Sequence, residues 1–129
     1  MPKSLADFVR DAKSRIRELD CSELHRMIQS NSDLLVVDVR EPVEFSEGHI
    51  ADALNIPRGI LESAADPSFD KRNERLCRAH NSPVAVYCAT GGRSAMAADV
   101  LQQMGFEDAV SLQGGITAWI KQGYATEKT

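Results

Sequence analysis

Cys88-Ala89-Thr90-Gly91-Gly92-Arg93-Ser94 gathers the parts of a reactive thiol site into one short stretch. A cysteine is followed by two glycines, an arginine and a serine. Gly91 and Gly92 permit backbone angles that other residues resist, so the segment can curl and turn its N–H groups inward. A helix opening at Ser94 would add unpaired N–H donors and the positive end of its dipole. Arg93 adds a full positive charge. Together these make an anion cradle with a thiol at its base. A thiol so placed is expected to have a lowered pKa and to be largely thiolate, the nucleophilic form, at neutral pH.

The other candidates for chemistry are poorer. Cys21 sits at a predicted helix start and Cys77 inside the polar stretch 72–80; neither is followed by a glycine-rich loop, so both read as structural or incidental. His49 belongs to a turn motif and His80 ends a polar helix, which leaves little for a Cys–His hydrolase that would also draw on His25. Neither GxGxxG nor GxxxxGK[ST] occurs, so Gly91-Gly92 is not a nucleotide loop. There is no CxxC pair, so a structural zinc site has no foothold, and no metal or cofactor is expected.

Elements that can hold such a loop are visible around it. Leu34–Val39 and Val84–Tyr87 are continuous aliphatic runs, the pattern of strands buried on both faces of a parallel sheet. Ala109–Leu112 reads as a third strand, with short ones near Ala53–Ile56 and Ile16–Glu18. Helical segments are predicted from Leu5 towards Leu19 with Ser4 as N-cap, from Asp20 onward, over Arg58–Ala64, Arg72–His80, Ser94–Met104 and Gly115–Gln122. Strands alternating with helices give an α/β domain: a central, mostly parallel five-stranded sheet with helices on both faces. In such sheets the ligand crevice lies beyond the carboxyl ends of the strands, which is where Cys88 falls.

Composition bounds the rest. The chain has 129 residues, 15 Lys+Arg against 19 Asp+Glu, and 3 cysteines. That length suits one domain able to bury a core without disulfides. An odd, sparse cysteine count is not a disulfide framework. An acidic chain with 5% aromatics lacks a nucleic-acid footprint. No apolar run approaches a membrane span, and the N-terminus lacks the uninterrupted apolar stretch of a signal peptide. The expectation is a cytoplasmic protein with reduced thiols. The acidic stretch 38–52 and the basic stretch 71–78 read as solvated faces, and Trp119 as a core anchor.

Over about residues 15–124 the chain resembles the single-domain rhodaneses, the thiosulfate-type sulfurtransferases. Four ordered motifs carry the resemblance: Asp38-Val39-Arg40-Glu41-Pro42 with Glu44-Phe45; Gly48-His49-Ile50 with Ala53-Leu54-Asn55-Ile56-Pro57; the loop Cys88 to Ser94; and Gly114-Gly115-Ile116 with Ala118-Trp119. One departure is Ala51-Asp52, where the family often has Pro-Gly. The resemblance implies a single rhodanese-like domain over 16–124, with a helical extension at 1–15 and a tail at 125–129. It implies that Cys88 takes a sulfane sulfur from thiosulfate or a persulfide donor and passes it to a thiol or to cyanide, the acceptor being in some cases a protein thiol. Ala89, Thr90, Gly91, Gly92 and Ser94 would hold the sulfur, Arg93 would help bind the anionic donor, and Arg58 would point towards the pocket mouth. Asp38 and Arg40 match structural positions.

Two other readings remain open. Phosphatases and arsenate reductases of this fold have five residues between cysteine and arginine; here Ala89, Thr90, Gly91 and Gly92 make four, a tighter cradle that suits one sulfur better than a tetrahedral phosphate. Rhodanese-like domains also serve as non-catalytic interaction modules, typically after losing the cysteine that this chain keeps.

Overall fold

The aliphatic runs form the centre of a parallel sheet. The computed structural model describes all residues, Met1–Thr129. Its strands are β1 (Glu18–Leu19), β2 (Leu35–Asp38), β3 (Leu54–Asn55), β4 (Val84–Tyr87) and β5 (Ala109–Leu112). They lie in the order β1-β5-β4-β2-β3, and every ladder is parallel. The three long strands occupy the middle and the two-residue strands the edges. That explains why only the middle strands read as uninterrupted aliphatic runs.

The helices are α1 (Leu5–Lys13), α2 (Cys21–Ser30), α3 (Pro42–Glu47), α4 (Leu61–Ala65), α5 (Glu74–Arg78), α6 (Gly92–Gln103) and α7 (Gly115–Lys121). Strand parity divides them between two faces. Leu35, Val37, Val84, Val86 and Cys88 pack with α4, α5 and α6, whereas Val36, Ala85, Tyr87 and Val110 pack with α2 and α7. Leu61, Leu76 and Leu101 on the first face, and Leu24 and Leu112 on the second, are completely buried. Each such side chain contributes about 1.5–3 kcal/mol relative to exposure. Trp119 is buried on the second face and its indole N–H donates to the Ala125 carbonyl at 3.0 Å.

Several boundaries differ from the sequence reading, each for a local reason. α1 stops at Lys13, capped by Ser14, because the chain must straighten to pair Glu18 with Ser111. The helix expected over 72–80 shrinks to Glu74–Arg78, opened by Asn73, whose side chain accepts from the Leu76 N–H. Arg58–Ala64 divides into a 3-10 turn at Arg58–Ile60 and then α4. α3 stands inside the stretch read as an acidic face. Pro42 occupies its first turn and Glu41 and Glu44 form a reciprocal cap there, a start signal masked by the density of charge. α6 begins at Gly92 rather than Ser94, two residues earlier than the sequence suggested, because Gly91 serves as its N-cap.

α1 lies along α6. Arg15 Nε and Nη2 donate to the two carboxylate oxygens of Asp99 at 2.9 and 2.7 Å. Near its other end, a Cβ placed on Gly92 would meet Val9 at 3.5 Å. The pairings Val9 to Gly92 and Arg15 to Asp99 make the two helices run parallel, so the first turn of α1 reaches past the start of α6. The tail also has partners: His49 and Glu127 exchange backbone hydrogen bonds at 2.8 Å, and the Thr129 N–H donates to Ser46. No helix is long and apolar enough to cross a membrane.

Candidate active site

Cys88 is the residue immediately after β4, on the α6 side of the sheet, and is 1% exposed. The loop curls because Gly91 takes φ +110° and serves as N-cap of α6. That bend brings the Gly91 N–H to 3.1 Å from Cys88 Sγ and the Ser94 N–H to 3.4 Å. Ser94 Oγ lies 3.5 Å from the same sulfur. Two N–H donors from the loop and the first turn of α6 thus converge on one atom; the neutral thiol donates to Ser94 Oγ, and once the sulfur is ionised and can only accept, the Ser94 hydroxyl becomes a third donor to it.

The loop is held from the other side by α7. Ile116 and Thr117 donate their N–H groups to the carbonyls of Cys88 and Ala89 at 2.9 and 3.1 Å. With both carbonyls bound there, the following N–H groups are left to face the sulfur. The approach is so close that a Cβ on Gly115 would stand 2.5 Å from both carbonyl oxygens, and Gly115 adopts φ +59°. This is the physical content of the Gly114-Gly115 motif.

The electrostatics of the thiol follow from this geometry. Burial pushes the Cys88 pKa up, but donation from the Ser94 hydroxyl and from the N–H groups of Ser94, Gly91 and Thr90 outweighs it, and the pKa falls below the ordinary cysteine value. Cys21 and Cys77 go the other way: desolvation raises both, and neither has compensating donors. Cys21 is fully buried, and Cys77 donates its thiol to the Ala64 carbonyl at 3.4 Å. All three cysteines are free.

The predicted site residues separate into two groups. Cys88, Gly91 and Ser94 meet at the sulfur, with the Thr90 N–H adding to the donor set. Thr90 itself is exposed and Ala89 half-buried, so the cradle is open on that side. Gly92 starts α6 beneath Val9. Arg93 and Arg58 do not touch the sulfur. Arg93 places Nη1 and Nη2 on Glu44 Oε1 and Oε2 at 2.8 and 3.1 Å. The Arg93 guanidinium holds the Glu44 carboxyl far below the usual range, at about 2, so the pair is fully ionised. Arg58 pairs with Glu62 at 2.8 Å, one turn further along the chain. Glu44 is the residue whose role the sequence did not disclose: it was visible as part of a motif, but its partner lies 49 positions away.

The scaffold beside the cradle is polar and fully satisfied. Arg40 Nε bridges both Asp38 oxygens at 3.1 Å, and Arg40 Nη2 also donates to Gly48 at 2.7 Å. Asn55 ties the carbonyls of Asp38 and Arg40. The Tyr87 hydroxyl accepts from the Ile50 N–H. His49 stacks on Phe45 with its ring centroid 3.8 Å away, and its Nδ1 lies 3.0 Å from the Phe45 carbonyl, so it is engaged within the turn. A surface concavity of about 410 Å³ is lined by Ile28, Leu34, Asp52 and Arg75 and does not include Cys88. A second concavity, about 310 Å³, is lined by Arg40, Glu44, Gly48 and Ile116, residues that surround the cradle.

A family model described as the Rhodanese-like domain matches residues 20–122. A protein from Allochromatium vinosum named "Sulfurtransferase" is 32% identical over 84% of this chain and 92% of its own. The Mycobacterium tuberculosis protein named "Probable adenylyltransferase/sulfurtransferase MoeZ" is 42% identical over 78% of this chain, but the match spans only 24% of that longer protein. Among solved structures, a Rhodopseudomonas palustris protein described as of unknown function and as a possible tyrosine phosphatase superposes with a TM-score of 0.91 at 29% identity, covering 98% of this chain and 96% of that one.

Proposed function

The chain belongs to the rhodanese-like domain family, and from that premise we propose that it is a sulfurtransferase working through a persulfide on Cys88. The observation that carries this reading is the convergence of the Gly91 N–H, the Ser94 N–H and the Ser94 hydroxyl on Cys88 Sγ at 3.1–3.5 Å. Donors preorganised around an anionic sulfur stabilise the attacking thiolate and the thiolate that leaves.

The chemistry runs in two displacements. In loading, the Cys88 thiolate attacks the outer sulfur of thiosulfate. The new S–S bond forms as the old one breaks, and the electron pair leaves with sulfite. A persulfide donor would be attacked in the same way and leave as a thiolate. In unloading, an acceptor thiolate or cyanide attacks the outer sulfur of the persulfide, and the electron pair returns to Cys88 Sγ. Arg93 adds positive charge beside the loop for an anionic donor, moderated by Glu44; a role for Arg58 in the donor's approach would require it to leave Glu62. The names of the relatives support sulfur transfer in general; thiosulfate, cyanide and a protein thiol are the specific partners of this proposal. Three free cysteines suit a reducing cytoplasm.

Phosphate-ester hydrolysis is the second reading, because the Rhodopseudomonas palustris structure is described as a possible tyrosine phosphatase. Two features of this chain oppose it. The loop carries four residues between Cys88 and Arg93, and the arginine that would clamp phosphate oxygens is bound bidentately by a carboxylate. The test is intact-mass analysis after incubation with thiosulfate or a low-molecular-weight persulfide. One added sulfur atom is expected on the wild type and on Cys21→Ser and Cys77→Ser, and none on Cys88→Ser. Absence of any adduct on the wild type with every donor class overturns the proposal, and turnover of an aryl phosphate would favour the alternative.

A further inference from the structure

Ser111 is a hydroxyl in the middle of β5, between Val110 and Leu112, with no exposed surface. Strand parity places it with Ala109 on the α6 face of the sheet, and its register partner on β4 is Val86, two residues before Cys88. A buried hydroxyl is costly unless it is hydrogen-bonded. Ser111 Oγ has one partner, Ser94 Oγ, at 2.8 Å. Ser94 Oγ in turn lies 3.5 Å from Cys88 Sγ and 3.3 Å from the Gly91 carbonyl.

The protons can be assigned by counting. Each hydroxyl has one proton to place. Ser111 has a single acceptor within reach, Ser94 Oγ, so its proton goes there. Ser94 then keeps its own proton for either Cys88 Sγ or the Gly91 carbonyl. The Gly91 carbonyl already accepts from the Ala95 N–H at 3.1 Å. An ionised sulfur is the stronger acceptor, since a charge-assisted bond is roughly twice as strong as a neutral one. The chain of donation therefore runs from Ser111 through Ser94 to the sulfur.

We propose that Ser111 is a positioning residue for the sulfur chemistry: by donating to Ser94 Oγ it aims the Ser94 hydroxyl proton at Cys88 Sγ and so stabilises the thiolate. The functional consequence rests on the sulfur-transfer reading, because that thiolate is consumed on loading and regenerated on unloading. The lowered Cys88 pKa, to which the Ser94 hydroxyl contributes, agrees with this arrangement.

The experiment measures the thiolate directly and needs no sulfur donor. The rate of Cys88 alkylation by iodoacetamide is followed against pH, with the modified peptide identified by mass spectrometry. Ser111→Ala should move the midpoint up by about half a pH unit, which is about threefold less thiolate below the midpoint. Ser94→Ala should move it further. In the Ser94→Ala background, adding Ser111→Ala should move it no more. Should Ser111→Ala fail to fold by thermal melting, Ser111→Cys fills the same volume with a weaker donor and should shift the midpoint in the same direction. An unmoved midpoint in the folded Ser111 variant overturns the proposal. So does an equal shift in both backgrounds, because the effect then does not pass through Ser94. If the midpoint moves but no donor ever loads Cys88, the positioning role stands and the sulfur-transfer reading falls.

Discussion

The Arg93 guanidinium is bound edge-on by the Glu44 carboxylate, with both oxygens engaged at 2.8 and 3.1 Å, so the cation of the Cys88 loop is compensated by a side chain of α3. The pair is about one-third exposed on each side, and the Glu44 pKa, lowered to about 2 by Arg93, keeps it ionised throughout the neutral range. Its effect on a dianionic donor such as thiosulfate is a balance: Arg93 attracts and Glu44 repels. Glu44→Gln removes the repulsion and frees the guanidinium. Its KM for thiosulfate should fall severalfold with little change in kcat, whereas Arg93→Ala should raise KM. Steady-state sulfite release against thiosulfate concentration measures both. A higher KM in Glu44→Gln would mean that holding Arg93 in place matters more than the charge it cancels.

The acid side of the pH profile should report one ionisation, that of Cys88. Its folded pKa lies below the ordinary cysteine value, because the donors around Sγ outweigh burial. The reactive form is the thiolate, so loading falls as pH drops through that lowered pKa and levels off above it, at lower pH than for an ordinary thiol. Glu44, at about 2, titrates far too low to contribute. Cys21 and Cys77, both raised by desolvation, should be alkylated only at higher pH. Peptide-resolved alkylation between about pH 5 and about pH 10, a window that spans the usual thiol range, separates the three thiols. A Cys88 midpoint at or above those of the other two would contradict the cradle.

Gly115→Ala should be among the most damaging single substitutions outside the loop itself. The new Cβ would stand 2.5 Å from the Cys88 and Ala89 carbonyl oxygens, at a φ of +59°. Left-handed backbone costs a residue with a Cβ about 1–2 kcal/mol, and overpacking adds about 1–3 kcal/mol. A loss on the order of 2–5 kcal/mol in denaturant unfolding is expected, with weakened Cys88 alkylation because α7 no longer seats on the loop. Gly59→Ala is the control: nothing lies within 4 Å of its added Cβ. It should leave both measurements unchanged.

What the sequence made legible was whatever is encoded locally. Val84–Tyr87 and Leu35–Asp38 were readable because strands buried on both faces need unbroken aliphatic runs. The cysteine loop was readable because Gly91 and Ser94 fall within six residues of the sulfur they serve. The Glu44–Arg93 pair was not readable, since 49 residues separate partners that only the sheet brings together. α3 was missed because its cap, Glu41 with Glu44, is built of the same charged residues that mark a solvated face. Ser111 carried a faint signal. A lone hydroxyl in an aliphatic strand, on the same parity as Ala109, must find a polar partner on the α6 face.

The attachment of α1 to α6 should be separable from the fold of the sheet. Arg15 binds both oxygens of Asp99 at 2.9 and 2.7 Å, Ala12 is buried, and Val9 lies over Gly92 at the start of α6. Leu5 and Phe8, on the first turn, are mostly exposed and add little to the attachment. Arg15→Ala would leave the nearly buried Asp99 carboxylate without its cation and remove one of the two anchors of the helix. Amide exchange in residues 5–13 should then accelerate severalfold while β2 and β4 keep their protection, because local opening needs only the α1 contacts to be lost. Cys88 alkylation should hold its midpoint, since none of the donors on Sγ comes from α1. If protection in β2 and β4 falls in step with α1, the helix is part of the global cooperative unit, and its contacts with α6 would have to be counted with the core.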